Sequence, residues 1–252
     1  MKLCKHKLPL FISPIFAHLK IFSTVKARNI ILIILAIILA DQALKFYIKL
    51  NYYTGEEHKI VGNWFRLHFV ENEGMAWGWK FGGGFGKIAL TLFRLAAVIW
   101  GTFLIKDFIQ KKMHKGFIIC AGLIYAGALG NLLDSMFYGL IFDISYDEQH
   151  PQYFMVVAKA FANEHYGSFL HGKVVDMFYF PLMKGNFPTW MPFWSGEEFE
   201  FFRPVFNIAD ASISVGVIAI LLFQNKFFKH TEVKKTSTIE TKSLVDDNSQ
   251  VS

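Results

Sequence analysis

Apolar residues gather in four stretches, about 30–50, 88–105, 117–138 and 204–224, each nearly free of charge. A helix of about 20 residues crosses roughly 30 Å of hydrocarbon, so each stretch predicts a transmembrane helix. Between them the pattern changes. Loop 51–86 contains IVGNWFRLHFV, whose turn-flanked aromatic and branched residues read as strand. Loop 139–203 contains GKVVDMFYF, which predicts a partly buried strand or a segment at the membrane edge. The head, 1–29, carries LPLFISPIF, too short to span and suited to a membrane surface. The polar tail, 226–252, predicts disorder. The expected organisation is a membrane core at 30–225 with two extensions.

Charge orients these spans. Residues 1–30 hold six basic residues and no acid, and KDFIQKKMHK at 106–115 holds four Lys and one Asp. Loop 51–86 has three basic and four acidic residues; loop 139–203 has four basic and eight acidic. Lys and Arg concentrate on the cytoplasmic side, so both termini are expected inside and both long loops outside. The net charge of +6 is thus a topology signal, and nucleic acid is not an expected partner. Hydrophobic residues make up 53% of the 252, which excludes an ordinary soluble domain. The two cysteines, Cys4 and Cys120, supply neither a disulfide framework nor a metal-ligand spacing, and no cofactor is expected.

Polar residues inside apolar spans are costly and point to function. Asp41 and Lys45 share one helix face, as do Asn131 with Asp134 and Asn207 with Asp210. Asp210 lies about six residues, or roughly 9 Å, inside its span, with no cation on the rest of that helix. Asp176 sits in GKVVDMFYF, where desolvation raises a carboxyl pKa. Two desolvated acids that share a proton can activate water and protonate a leaving group, the chemistry of an aspartic protease. A proton-coupled transporter and a non-catalytic membrane scaffold remain alternatives, since both tolerate intramembrane carboxylates.

DQALK at 41–45, NEGMAWG at 72–78, GALGNLLD at 127–134, GKVVD at 172–176 and FNIADASI at 206–213 resemble the lipoprotein signal peptidase (signal peptidase II) family. The resemblance implies an all-α polytopic membrane protein of four transmembrane helices with a small extracytoplasmic β-rich cradle, expected at 55–83, and an enlarged second outer loop. It implies an aspartic endopeptidase of the bacterial inner membrane, acting near the outer face. Its substrates are lipid-modified prolipoproteins, cut on the N-terminal side of the lipidated Cys. The implied catalytic pair is Asp176 and Asp210, supported by Asp41, Lys45, Asn72, Gly74, Gly130, Asn131, Asp134, Asn207 and Ala209. The resemblance also implies contact with membrane lipids and inhibition by globomycin-type peptides; a monomer is expected. The sequence departs from the family pattern at Leu44, at Ala126 and at Ser135, where the family carries Arg; Lys45 or Lys173 is the expected substitute. The stretch 140–171 reads as an insertion, and Trp190, Phe193, Trp194, Phe199, Phe201 and Phe202 as an interfacial aromatic belt.

Overall fold

The computed structural model describes residues 26–73, 83–146, 150–181, 183–186, 188–190, 196, 198–201 and 204–249. The head 1–25, Gly74, and Phe193, Trp194 and Phe202 of the aromatic belt lie outside the described residues. Among the described residues, four α-helices carry the fold: α1 (Ala27–Asn51), α2 (Gly83–Gln110), α3 (Lys115–Ile141) and α4 (Ile208–Ser249). Each contains a segment long and apolar enough to cross a membrane, the last being Ile208–Phe228. The helices run up, down, up and down. Gln42 of α1 reaches Asp134 of α3, Arg94 of α2 reaches Ser135, and Gly116 near the start of α3 meets Phe227 late in α4.

Small residues set the closest helix approach. A Cβ on Gly127 would lie 2.2 Å from the Ala209 carbonyl oxygen, and one on Gly216 would lie 2.8 Å from the Cys120 carbonyl oxygen. In lipid, where apolar tails compete equally for apolar side chains, such backbone proximity is what holds helices together. The last helix, α4, continues to Ser249. Nothing after Gly216 is Gly or Pro, so no residue there breaks the helix.

At the end of the bundle where α1 and α3 finish sits an antiparallel sheet ordered β1 (Glu57–Val61), β2 (Phe65–Asn72), β3 (Val174–Tyr179), β6 (Val205–Phe206). A separate hairpin pairs β4 (Met183–Asn186) with β5 (Glu198–Phe201). The strand expected at 60–70 is therefore a hairpin, β1–β2, and GKVVDMFYF is its neighbour in the sheet. Val70 pairs with Asp176, and Phe178 with Phe206. Successive strand residues face opposite sides. Val175 and Met177, fully buried, join Ile48, Phe69, Tyr138, Phe142 and Ala158 in one apolar core, which leaves Asp176 on the other face.

The insertion is part of this core. Ala158 is buried in it, and Ala160 and Tyr166 pack against it. Phe142 and Ala160 form an antiparallel bridge. Buried Lys49 of α1 pairs with Glu71 of β2, whose other oxygen accepts from Ser145. The chain then returns along α3, with the amides of Tyr166, Gly167, Leu170 and Gly172 donating to the carbonyls of Phe142, Gly139, Met136 and Ser135. A Cβ on Gly172 would lie 1.9 Å from the Asp134 carbonyl oxygen, so only glycine fits where this segment presses on α3 before entering β3. The segment expected as an insertion thus packs against the strand that carries Asp176.

Candidate active site

Asp176 comes from β3. Its neighbour in the sheet, β6, leads through Asn207 into α4, so one sheet positions both acids. Asn207 caps α4: its Oδ1 accepts the Asp210 amide at 2.9 Å, three residues on, as an N-cap side chain does. Asp41 accepts the next orphan donor, the Ala209 amide, at 2.8 Å. Asp210 therefore stands in the first turn of α4, where the helix dipole favours a negative charge.

The two acids belong to one hydrogen-bonded array. Asp176 Oδ1 accepts from Asn207 Nδ2 at 2.7 Å and its Oδ2 from Asn72 Nδ2 at 3.2 Å. Asp210 Oδ1 accepts from Asn131 Nδ2 at 2.7 Å. Asn207 Nδ2 also donates to Asn131 Oδ1 at 3.2 Å, which links the two halves. Asp176 is 3% exposed, whereas Asp210 is only partly covered. Burial, then the charge of Asp210, pushes the Asp176 carboxyl up from 3.8 to about 8, against the opposing pull of Asn72, Lys45 and Asn207. At neutral pH such a carboxyl holds its proton.

Beneath the acids lies a buried ionic cluster. Lys45, with no exposed surface, directs its three N–H bonds to Asp134 at 2.7 Å, Asp41 at 2.8 Å and Asn131 Oδ1 at 2.9 Å. Gln42 Nε2 donates to Asp134 Oδ1 at 2.7 Å, and Tyr138 OH donates to Gln42 Oε1 at 3.1 Å. Gly130 lies where a Cβ would come within 3.0 Å of Asp41 Oδ2 and 3.3 Å of the Ala209 methyl. The cluster holds Asn131 and the start of α4 in place, and through them Asp210.

Every expected site residue within the described residues thus meets at one place; Gly74 is the exception in lying outside them. Three others were missed. Gln42 and Tyr138 carry no distinctive sequence signal. Arg94 does: it is a cation inside the apolar span 88–105. Its Nη1 donates to Ser135 Oγ at 3.0 Å, and its charge faces Asp210, Asp134 and Asp176. Of the substitutes expected for the family Arg, Lys45 does pair with Asp134, while Lys173 directs its ammonium to the Tyr146 carbonyl at 2.9 Å. The guanidinium beside position 135 comes instead from α2.

The sequence model described as Signal peptidase (SPase) II matches residues 33–226. A lipoprotein signal peptidase of Porphyromonas gingivalis is 43% identical over 192 residues, covering 75% of this chain and 80% of the relative. One from Amoebophilus asiaticus is 32% identical over 228 residues, covering 85% and 88%. A solved bacterial membrane enzyme, 23% identical, superposes with a TM-score of 0.49 over 79% of this chain and 89% of its own.

Proposed function

The chain belongs to the signal peptidase II family, a family of proteases, and we propose that it removes the signal peptide from diacylglyceryl-modified prolipoproteins, cutting before the lipidated Cys. The observation that carries this reading is the placement of Asp176 and Asp210 in one Asn-linked array at the end of an apolar four-helix bundle. A substrate anchored by acyl chains and a signal helix reaches such a site sideways from the bilayer. The scissile peptide rests between the two acids.

Two carboxyls in one site repel each other's negative charge, so a proton on one of them is favoured. Burial favours keeping that proton on Asp176. Asp210, partly open and set in the first turn of α4, faces the side from which water reaches the site. Asp210 takes a proton from water as it attacks the carbonyl carbon. Asp176 hydrogen-bonds the carbonyl oxygen as negative charge builds there, then passes its proton to the amide nitrogen as the C–N bond breaks; the proton that Asp210 took from water returns to Asp176 and resets the pair. Asn72 and Asn207 hold Asp176, Asn131 holds Asp210, and Arg94 offsets the negative charge of the site. The basic surplus of residues 26–30 and 106–115 supports placing the sheet and the acids at the outer face of the membrane.

The test is direct. Purified protein in detergent is incubated with a diacylglyceryl-modified prolipoprotein and with its unlipidated form, and the products are identified by mass spectrometry. The proposal expects a new N-terminus at the lipidated Cys only with the first substrate. Equal cleavage of both, or of neither, contradicts it.

A further inference from the structure

The proposed chemistry leaves unused an exposed apolar ridge on the insertion. Phe154, Met155, Val156 and Val157 are 37% to 63% exposed, and Phe161 is 78% exposed. Met155 and Phe161 have φ of 63° and 57°, a left-handed conformation that side chains other than Gly, Asn or Asp rarely adopt. The fold thus holds the two most exposed apolar residues of the segment in a disfavoured geometry, pointing outward.

The position of the ridge says what covers it. At one end, Phe154 packs against Gly55, in the turn just beyond α1, with a Cβ there lying 3.3 Å from the Phe154 ring. At the other end, the Phe161 amide donates at 2.7 Å to the carbonyl of Ile141, the last residue of α3. Both anchors mark the ends of helices whose apolar spans cross the membrane. The ridge therefore lies at the hydrocarbon edge on the sheet side of the bundle. Phe137, Leu140 and Phe169, all exposed around the end of α3, carry the apolar band up to it, and the Phe137 and Phe169 rings meet at 5.7 Å. Polar His150 and Gln152 precede the ridge, and Asn163, Glu164 and His165 follow it, all exposed. Lys159 is exposed between Val157 and Phe161, with a stem long enough to place its charge among headgroups.

We infer that residues 154–161 form an interfacial foot that inserts into the leaflet at the sheet end of the bundle, seating the insertion, and with it β3, at a fixed depth beside the bilayer. Apolar patches of this kind on membrane-associated proteins are sites of lipid contact. The inference does not depend on the proposed reaction.

Nitroxide labels at Met155→Cys, Phe161→Cys and Gln152→Cys, with Cys4 and Cys120 replaced by Ser, report depth in proteoliposomes. The ratio of oxygen to nickel-chelate accessibility should be several-fold higher at 155 and 161 than at 152. A nickel-dominated signal at 155 and 161 places the ridge in water and overturns the inference. Spin–spin broadening there that disappears on dilution with unlabelled protein assigns the ridge to a second copy, and also overturns it. The unsubstituted protein gives a second reading, through phospholipids bearing a photoreactive group on the acyl chain. Adducts on peptides covering 154–161 are expected; adducts confined to the four spans contradict the foot.

Discussion

Asp176→Asn should separate stability from activity. Burial beside Asp210 raises the Asp176 carboxyl from 3.8 to about 8. The unfolded chain releases that proton near the ordinary value. Between about pH 4 and pH 8 the folded state therefore holds a proton that the unfolded state has lost, and stability falls as pH rises through this window. Each pH unit is worth about 1.4 kcal/mol, so the loss between pH 5 and pH 8 is about 4 kcal/mol. Asn cannot ionise and removes the slope. It also turns one acceptor of the Asn72 and Asn207 amides into a donor, which costs about 1–3 kcal/mol at every pH. At pH 5 the two effects nearly cancel; at pH 8 the variant is the more stable protein. For a chain of this size 1 kcal/mol moves Tm by about 2–4 °C, so the Tm advantage of the variant should grow by about 8–16 °C from pH 5 to pH 8. Thermal unfolding of both proteins in the same detergent checks this. A Tm difference that stays constant across that range would show that Asp176 is not held protonated by the fold.

Other consequences are equally open to measurement. Lys45→Met strands Asp41 and Asp134 without their shared cation and should cost about 3–5 kcal/mol in unfolding experiments; adding Asp134→Asn should recover part of it. Gly172→Ala drives a methyl into the Asp134 carbonyl, so about 1–3 kcal/mol of stability should be lost, with slower processing because Asp176 lies just downstream. Arg94→Gln removes the guanidinium that faces three acidic side chains and should lower the processing rate about 10- to 100-fold, with Arg94→Lys intermediate. Unchanged kcat/KM in Arg94→Gln would assign that side chain to packing alone.

Some of this arrangement was legible in the sequence, for physical reasons that differ by residue. The spans follow from apolar length alone. Asp210 and Asp176 stood out because a carboxyl in an apolar segment is costly wherever it sits. Arg94, a cation inside the apolar span 88–105, meets the same criterion. Gln42 and Tyr138 join the site through contacts with Asp134 and with each other, which spacing does not reveal. The hold of 140–171 on the core could not be read from the sequence, because it depends on pairings distant along the chain, such as Tyr166 with Phe142 and Gly172 with Ser135. The continuation of α4 to Ser249 was obscured by polar composition, although the absence of Gly and Pro permits it.

On the proposed mechanism Asp176 and Asp210 perform the hydrolysis together. Cleavage of a diacylglyceryl-modified prolipoprotein by purified Asp176→Asn and Asp210→Asn proteins, each shown to be folded by its unfolding transition, tests it most directly. Each substitution alone should abolish cleavage, and the double variant should be no worse than either, because the acids act as one unit. Near-normal cleavage by either folded single variant would contradict the account.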